Sequence, residues 1–198
     1  MLVCNKRDLS CKAGDVMKNP WKRLSSKQIY KNEWIRLRED RVITPTGSRG
    51  IYGVVETKPA IGIVPLTDDL QTYLVGQYRY TLDVYSWEIP EGGGKDGEDT
   101  LMGAQRELAE ETGLIADHWT FLDTFYTSNS VTNEVAYIYL AEGLHQGKAQ
   151  PDHTEELKIR KLPFLAAWDM VQNGEIKDAL AIIGLMRTYH YLKEKKRL

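Results

Sequence analysis

From Gly92 to Leu114 the chain reads GGGKDGEDTLMGAQRELAEETGL. A glycine-rich acidic loop, Glu91 to Asp99, runs straight into a pattern with helical spacing. Asp99 or Thr100 suits the N-cap, and the helix is expected to run to Thr112. Gly113 suits its exit, where many helices end in a left-handed backbone that glycine tolerates. On a helical wheel Glu107, Glu110 and Glu111 stand at i, i+3 and i+4 and share one face. Leu101, Ala104 and Leu108 form a neighbouring stripe suited to a core. Gly103 lies one turn before Glu107 and is expected to leave open room beside the carboxylates.

Three like charges in one turn repel, each pair costing roughly 0.2–0.5 kcal/mol on an exposed helix. Arg106 relieves Glu110 at i+4 but cannot offset all three. A solvated acidic face is the ordinary explanation of such a helix. The glycine-rich loop weighs against it, because it brings backbone groups beside the carboxylates, as phosphate-handling sites require. An all-oxygen set suits hard divalent cations such as magnesium, manganese and calcium, and without His or Cys it does not suit zinc.

On the N-terminal side, Trp21 to Asp40 alternates weakly and reads as strand-rich. Pro45-Thr46-Gly47 marks a turn, and Ile51 to Val55 a strand. Ala60 to Leu66 (AIGIVPL) is a buried strand, Tyr73 to Arg79 the strand returning after Asp68-Asp69, and Tyr85 to Ile89 another. On the C-terminal side, Trp119 to Tyr126 and Val135 to Leu140 read as strands and Gly143 to Thr154 as a polar loop. A strand over Leu157 to Leu162 precedes helices over Ala166 to Gln172 and Glu175 to Leu192. Strands around one central helix, then C-terminal helices, imply an α/β fold with a mixed sheet between helices.

The whole chain has 198 residues and a net charge of -2, room for one sizeable domain and no global basic excess that would point to nucleic acid. Its two cysteines, Cys4 and Cys11, make neither a disulfide framework nor a zinc site, so a reducing compartment is the default. No run is long and apolar enough to span a membrane, and residues 1–16 lack the apolar stretch of a signal peptide, so a cytoplasmic location is expected. Those residues, ahead of Met17, are expected to be a disordered extension. The charged end, Lys193 to Arg197, complements a helix dipole.

The stretch from Gly92 resembles the Nudix box: glycine, five residues, glutamate, seven residues, then Arg-Glu-apolar-x-Glu-Glu-x-Gly-apolar. Gly92, Glu98, Arg106, Glu107, Leu108, Glu110, Glu111, Gly113 and Leu114 fill all nine specified positions, which makes the signal specific. The resemblance implies the Nudix α/β/α sandwich with a mixed sheet, and hydrolysis of a nucleoside diphosphate linked to another group. Looser motifs extend it over Trp21 to Leu192: Gly76-Gln77-Tyr78-Arg79, Trp87 to Gly92, Thr154 to Leu157, and Gly174 to Ala179. These are similar to ADP-ribose and nucleotide-sugar pyrophosphatases, implying a nucleoside diphosphate sugar as substrate.

In that subfamily an N-terminal β-rich segment is exchanged between the subunits of a homodimer and helps to form the substrate pocket. The implied division is an extension at 1–16, a dimerisation segment at 17–57 and a catalytic domain at 58–198. Trp34 and Tyr52 match the placement of two aromatics that sandwich the nucleobase, although core or interface packing would explain them equally. Arg79 matches a cation that contacts substrate phosphate, with a sheet-edge ion pair as the plainer alternative. Glu88, within the Trp87 to Gly92 run, joins the implied substrate-binding set.

For the metal the resemblance implies Glu107, Glu110, Glu111 and the carbonyl of Glu91, holding magnesium, for which manganese can substitute. Relatives often carry alanine where this chain has Glu91, so an extra carboxylate stands at that position. Arg106 is expected to orient the glutamates and Glu98 to brace the loop. A loop glutamate after the box is expected to serve as general base: Glu156 first, with Glu155 and Glu134 as alternatives, and a solvated loop pair as the plainer reading of the first two. Competing functions are a Nudix hydrolase of other scope (dinucleoside polyphosphate, CoA or NADH) and a nucleotide-sugar sensor that binds without cleaving. The intact box disfavours the sensor.

Overall fold

The computed structural model describes residues 18–147 and 157–198. The expected disorder of residues 1–16 therefore lies outside the described residues, as do Glu155 and Glu156.

β1 (Lys22–Lys31), β2 (Ile35–Ile43) and β3 (Arg49–Thr57) form an antiparallel sheet in that order. The strand-rich stretch thus divides in two. Its turn is set by Asn32, whose side-chain oxygen accepts from the N–H groups of Trp34 and Ile35, a local bond that competes with strand pairing. The sheet meets the rest of the molecule through Val55, which bonds to Val131 and Asn133, and through the Tyr52 hydroxyl, which donates to the Ser130 carbonyl.

The body has two sheets. β4 (Ala60–Pro65), β7 (Glu91–Gly93), β8 (Leu114–Tyr126) and β9 (Val135–Gln146) make a mixed sheet in the order β7-β4-β9-β8, with β4 and β9 parallel. β5 (Gln71–Arg79), β6 (Val84–Glu88) and β10 (Lys158–Pro163) make an antiparallel sheet, β10-β5-β6. α1 (Thr100–Thr112) covers one face of the mixed sheet; α2 (Phe164–Gln172) and α3 (Ala179–Glu194) lie on the other side. β4 is buried on both faces, which explains its unbroken apolar run. Ile61 and Ile63 pack with Ala104 and Leu108 of α1, while Val64 joins Ile138, Leu140 and Leu185 in the larger core.

Several boundaries differ from expectation. β8 starts at Leu114, directly after the helix, because Leu114, Ile115 and Ala116 already pair with Gln146, His145 and Leu144 of β9. β9 runs on through Gln146 to pair with that start, so Gly143–Gln146 belongs to the sheet and not to a polar loop. α2 begins at Phe164, whose ring is fully buried. α3 begins only at Ala179, because the Asp178 carboxylate accepts from the Ala181 N–H and caps the helix there; Ile176 is buried without being helical.

Candidate active site

α1 is placed by its ends. Asp99 accepts from the Leu101 N–H at 2.9 Å, and Gly113, with φ +69°, returns its N–H to the Ala109 carbonyl. Burying Ala104 and Leu108 on β4 then fixes the rotation of the helix and turns the glutamates to the edge where β7 lies. Glu107 and Glu111 are buried, at 8% and 7% exposure, whereas Glu110 is half exposed.

Gly103 does not open room as expected. A Cβ there would stand 2.5 Å from Ile61 Cδ1 and 3.2 Å from Glu98 Oε2, so this glycine permits close packing of helix on strand and loop. The glycine that faces a carboxylate is Gly92: its missing Cβ would fall 2.2 Å from the Glu107 carboxyl carbon. Any side chain at position 92 would displace that carboxylate.

Arg106 is the hub of the acidic cluster. Its guanidinium donates to both oxygens of Glu98 at 3.0 and 2.9 Å, to Glu107 at 2.6 Å, to Glu110 at 2.9 Å and to the Gly93 carbonyl at 3.0 Å. Glu98 also accepts from the Lys95 N–H, closing the loop onto itself. The Arg106 hydrogen bonds hold the Glu98 carboxyl down at about 2, and the carboxylates hold Arg106 protonated well above its usual range.

β7 supplies the backbone part of the site. Ile63 donates to the Pro90 carbonyl, and Glu91 stands opposite Gly62 in register. That makes Glu91 the non-hydrogen-bonded member of the ladder, with its N–H and C=O both directed away from β4. The N–H donates to Glu111 Oε2 at 3.0 Å, so the carbonyl of Glu91 looks toward the same open edge.

Arg79, at the end of β5, is gripped by two carboxylates. Its Nε donates to Glu88 at 2.9 and 3.0 Å and its Nη2 to Glu91 at 2.6 Å. Glu88 is 2% exposed and also accepts from Gln77, so it enters the site as the anchor of Arg79. Burial works against the Arg79 charge, but Glu88 and Glu91 more than compensate and raise its pKa. Burial, followed by the charges of Asp178 and Glu88, pushes the Glu91 carboxyl well above the usual carboxylate range. Asp178, missed in the sequence, is therefore a member of this electrostatic group; its only local signal was its position as a helix cap.

Of the other expected residues, Glu134, Trp34 and Tyr52 lie apart from this cluster, while Glu155 and Glu156 fall outside the described residues. Glu134 accepts from Thr127 Oγ1 at 2.6 Å and from Thr57 Oγ1 at 3.5 Å. It sits two strands across from β7, on the order of 10 Å away from register alone. Trp34 is 73% exposed in the β1–β2 turn, and Tyr52 makes an edge contact with Trp21 at 5.4 Å. Tyr52 pairs with Asp40, six residues along β2 from Trp34, which separates the two aromatics by about 20 Å at ~3.3 Å per residue.

The residues fit a hard divalent cation on three grounds: a carboxylate-rich donor set, a glycine cradle that admits Glu107, and an orphaned buried oxygen, Glu91 Oε2, with no hydrogen-bond partner among the described residues. No three acidic, His or Cys side chains among the described residues converge into a ready-made cage. Arg106 accounts for part of this, since it draws Glu107 and Glu110 toward itself.

Comparison with known proteins assigns the site to a class. Residues 21–55 match the nucleoside diphosphate sugar hydrolase N-terminal domain, and residues 56–180 match the NUDIX domain. The chain belongs to the Nudix family and is a Nudix hydrolase, an enzyme class dependent on divalent metal ions. It is similar to an ADP-ribose pyrophosphatase of Bacillus subtilis, at 30% identity over 87% of this chain and 94% of that protein. It is also similar to an ADP-ribose pyrophosphatase of Mycobacterium tuberculosis, at 33% identity over 84% of this chain and 82% of the relative. A crystal structure of an ADP compounds hydrolase shares the fold, with a TM-score of 0.80 over 90% of this chain and 97% of that one at 23% identity. The expected α/β Nudix architecture with an N-terminal β-rich segment is borne out. Among the described residues no helix is long and apolar enough to cross a membrane.

Proposed function

We propose that this protein hydrolyses the pyrophosphate bond of a nucleoside diphosphate sugar of the ADP-ribose type, giving a nucleoside monophosphate and a sugar phosphate. The observation that carries this reading is the meeting of the Glu111 carboxylate with the Glu91 backbone at the edge of β7, one residue from the Gly92 cradle for Glu107. Similarity to two ADP-ribose pyrophosphatases supports the substrate class.

Glu107, Glu110, Glu111 and the Glu91 carbonyl would hold magnesium, with manganese as a substitute. The bound metal would neutralise phosphate charge and lower the pKa of the attacking water. Arg106 sets the direction of Glu107 and Glu110 and does not touch substrate. Arg79 offers its fork to a phosphate oxygen, with Glu88 holding the guanidinium in place. Glu156 takes the proton from the water; Glu155 and Glu134 are the alternatives.

The nucleobase stacks between Trp34 and Tyr52, and their separation of about 20 Å along the strand favours a pair contributed by different chains of a homodimer. Residues 17–57 form the dimerisation segment and 58–198 the catalytic domain, in a cytoplasmic enzyme. A panel of ADP-ribose, GDP-mannose, UDP-glucose, NADH and diadenosine polyphosphates, ranked by kcat/KM, tests the assignment. A nucleotide sugar should lead; preference for a dinucleoside polyphosphate would overturn it.

A further inference from the structure

Glu91 carries one oxygen that its neighbours leave over. Oε1 accepts from Arg79 at 2.6 Å, while Oε2 is buried without a hydrogen-bond partner among the described residues. A native structure rarely leaves a buried carboxylate oxygen unmatched, and an ion, a water or a proton is the usual resolution. Arg79 spends its Nε on Glu88 and its Nη2 on Glu91 Oε1, so among the described residues no cationic side chain bonds to Oε2. Glu91 is also in direct contact with one helical carboxylate, since its N–H donates to Glu111 Oε2 at 3.0 Å.

We propose that the Glu91 side chain is itself a ligand of a divalent cation, in addition to the carbonyl of the same residue. Oε2 takes the cation while Oε1 stays on Arg79, so one carboxylate ties the metal to the arginine. This rests on the reading that Glu107, Glu110 and Glu111 form a metal site, and adds a charged donor to it.

Manganese alone, titrated into the full-length protein without substrate and followed by the spin-resonance signal of free ion, tests the inference. Glu91→Gln keeps the carbonyl and an acceptor for Arg79 but removes the side chain's charge. It should weaken manganese binding about tenfold or more, the scale on which groups around a metal act. Glu91→Ala should do the same, and circular dichroism in EDTA checks that both variants are folded. Glu111→Gln is the reference. If Glu91→Gln binds as the parent does while Glu111→Gln binds weakly, the Glu91 ligand is overturned and the helical site stands. If Glu111→Gln also binds as the parent does, the metal site itself is misplaced and the inference falls with it.

Discussion

The N-terminal sheet and the body are stabilised in different ways. In the body, β4 is buried on both faces and α1 seals one of them with Ala104 and Leu108. In the N-terminal sheet every residue of β1 is exposed, and only Asp40 and Val42 of β2 are buried. Its visible ties are charged: Arg36 and Arg38 both bind Glu56, and Arg38 also binds Asp40. The more exposed of these, Arg36 with Glu56, contributes little, about 0–1 kcal/mol. Leu24, Ile29, Tyr30, Trp34 and Ile51 all remain exposed. The body therefore carries its own core and its own chemistry, while the sheet leaves an exposed apolar surface of the kind the proposed dimer requires.

The largest expected effect is in the body. Glu111→Gln should remove nearly all activity, about a hundredfold or more, because metal charge stabilisation is worth several kcal/mol. The fold should survive, since the change removes one like charge. Near-parental turnover at saturating magnesium would take Glu111 out of the site. Next, Glu156→Gln should lower kcat by about 10²–10⁴-fold and leave the apparent magnesium and substrate affinities unchanged, the signature of a general base. A loss below about tenfold would pass the role to Glu155 or Glu134.

Two substitutions sharpen the contrast between the regions. Leu108→Ala should cost about 2–5 kcal/mol of stability, read as a drop in denaturant midpoint, since Leu108 is fully buried. Trp34→Ala should change the unfolding midpoint of the isolated chain little, because the ring is exposed, yet raise KM about tenfold through lost base stacking. An unchanged KM would return Trp34 to a structural role. Sedimentation should show a dimer at micromolar concentration, and a fully active monomer would break the contrast altogether.

The smallest effect is on pH dependence. Arg106 holds Glu98 at about 2 against an ordinary 4.5, so the unfolded chain takes up the proton first as pH falls. The stabilisation is complete above 4.5 and disappears as pH approaches 2. Melting curves of Glu98→Gln should therefore depend less on pH across that window than those of the parent; identical slopes would mean the Arg106 bond is absent in solution.

Local patterns were legible in the sequence where one element sufficed. The spacing of Glu107, Glu110 and Glu111, a cap at Asp99 or Thr100, which the structure gives to Asp99, the exit at Gly113 and the Leu101, Ala104 and Leu108 stripe all follow from helix geometry. What another element brings across was not legible. Gly103 was misread because the wheel cannot show Ile61 opposite it. Asp178 was missed because its charge reaches Glu91 only through the docking of α3. The start of α3 was placed too early because Ile176 fits the helical period, while the Asp178 side chain ends the alternatives. The Trp34 to Tyr52 distance depends on the β2–β3 register, which no single-strand pattern supplies.

Product analysis tests the central claim most directly. The protein is incubated with ADP-ribose and magnesium, and the products are separated and identified by phosphorus NMR. Equal amounts of AMP and ribose phosphate are predicted, and neither should form with Glu111→Gln. Folded parental protein that leaves ADP-ribose, GDP-mannose and UDP-glucose all intact, or that releases ADP and free sugar from cleavage outside the pyrophosphate, would contradict it.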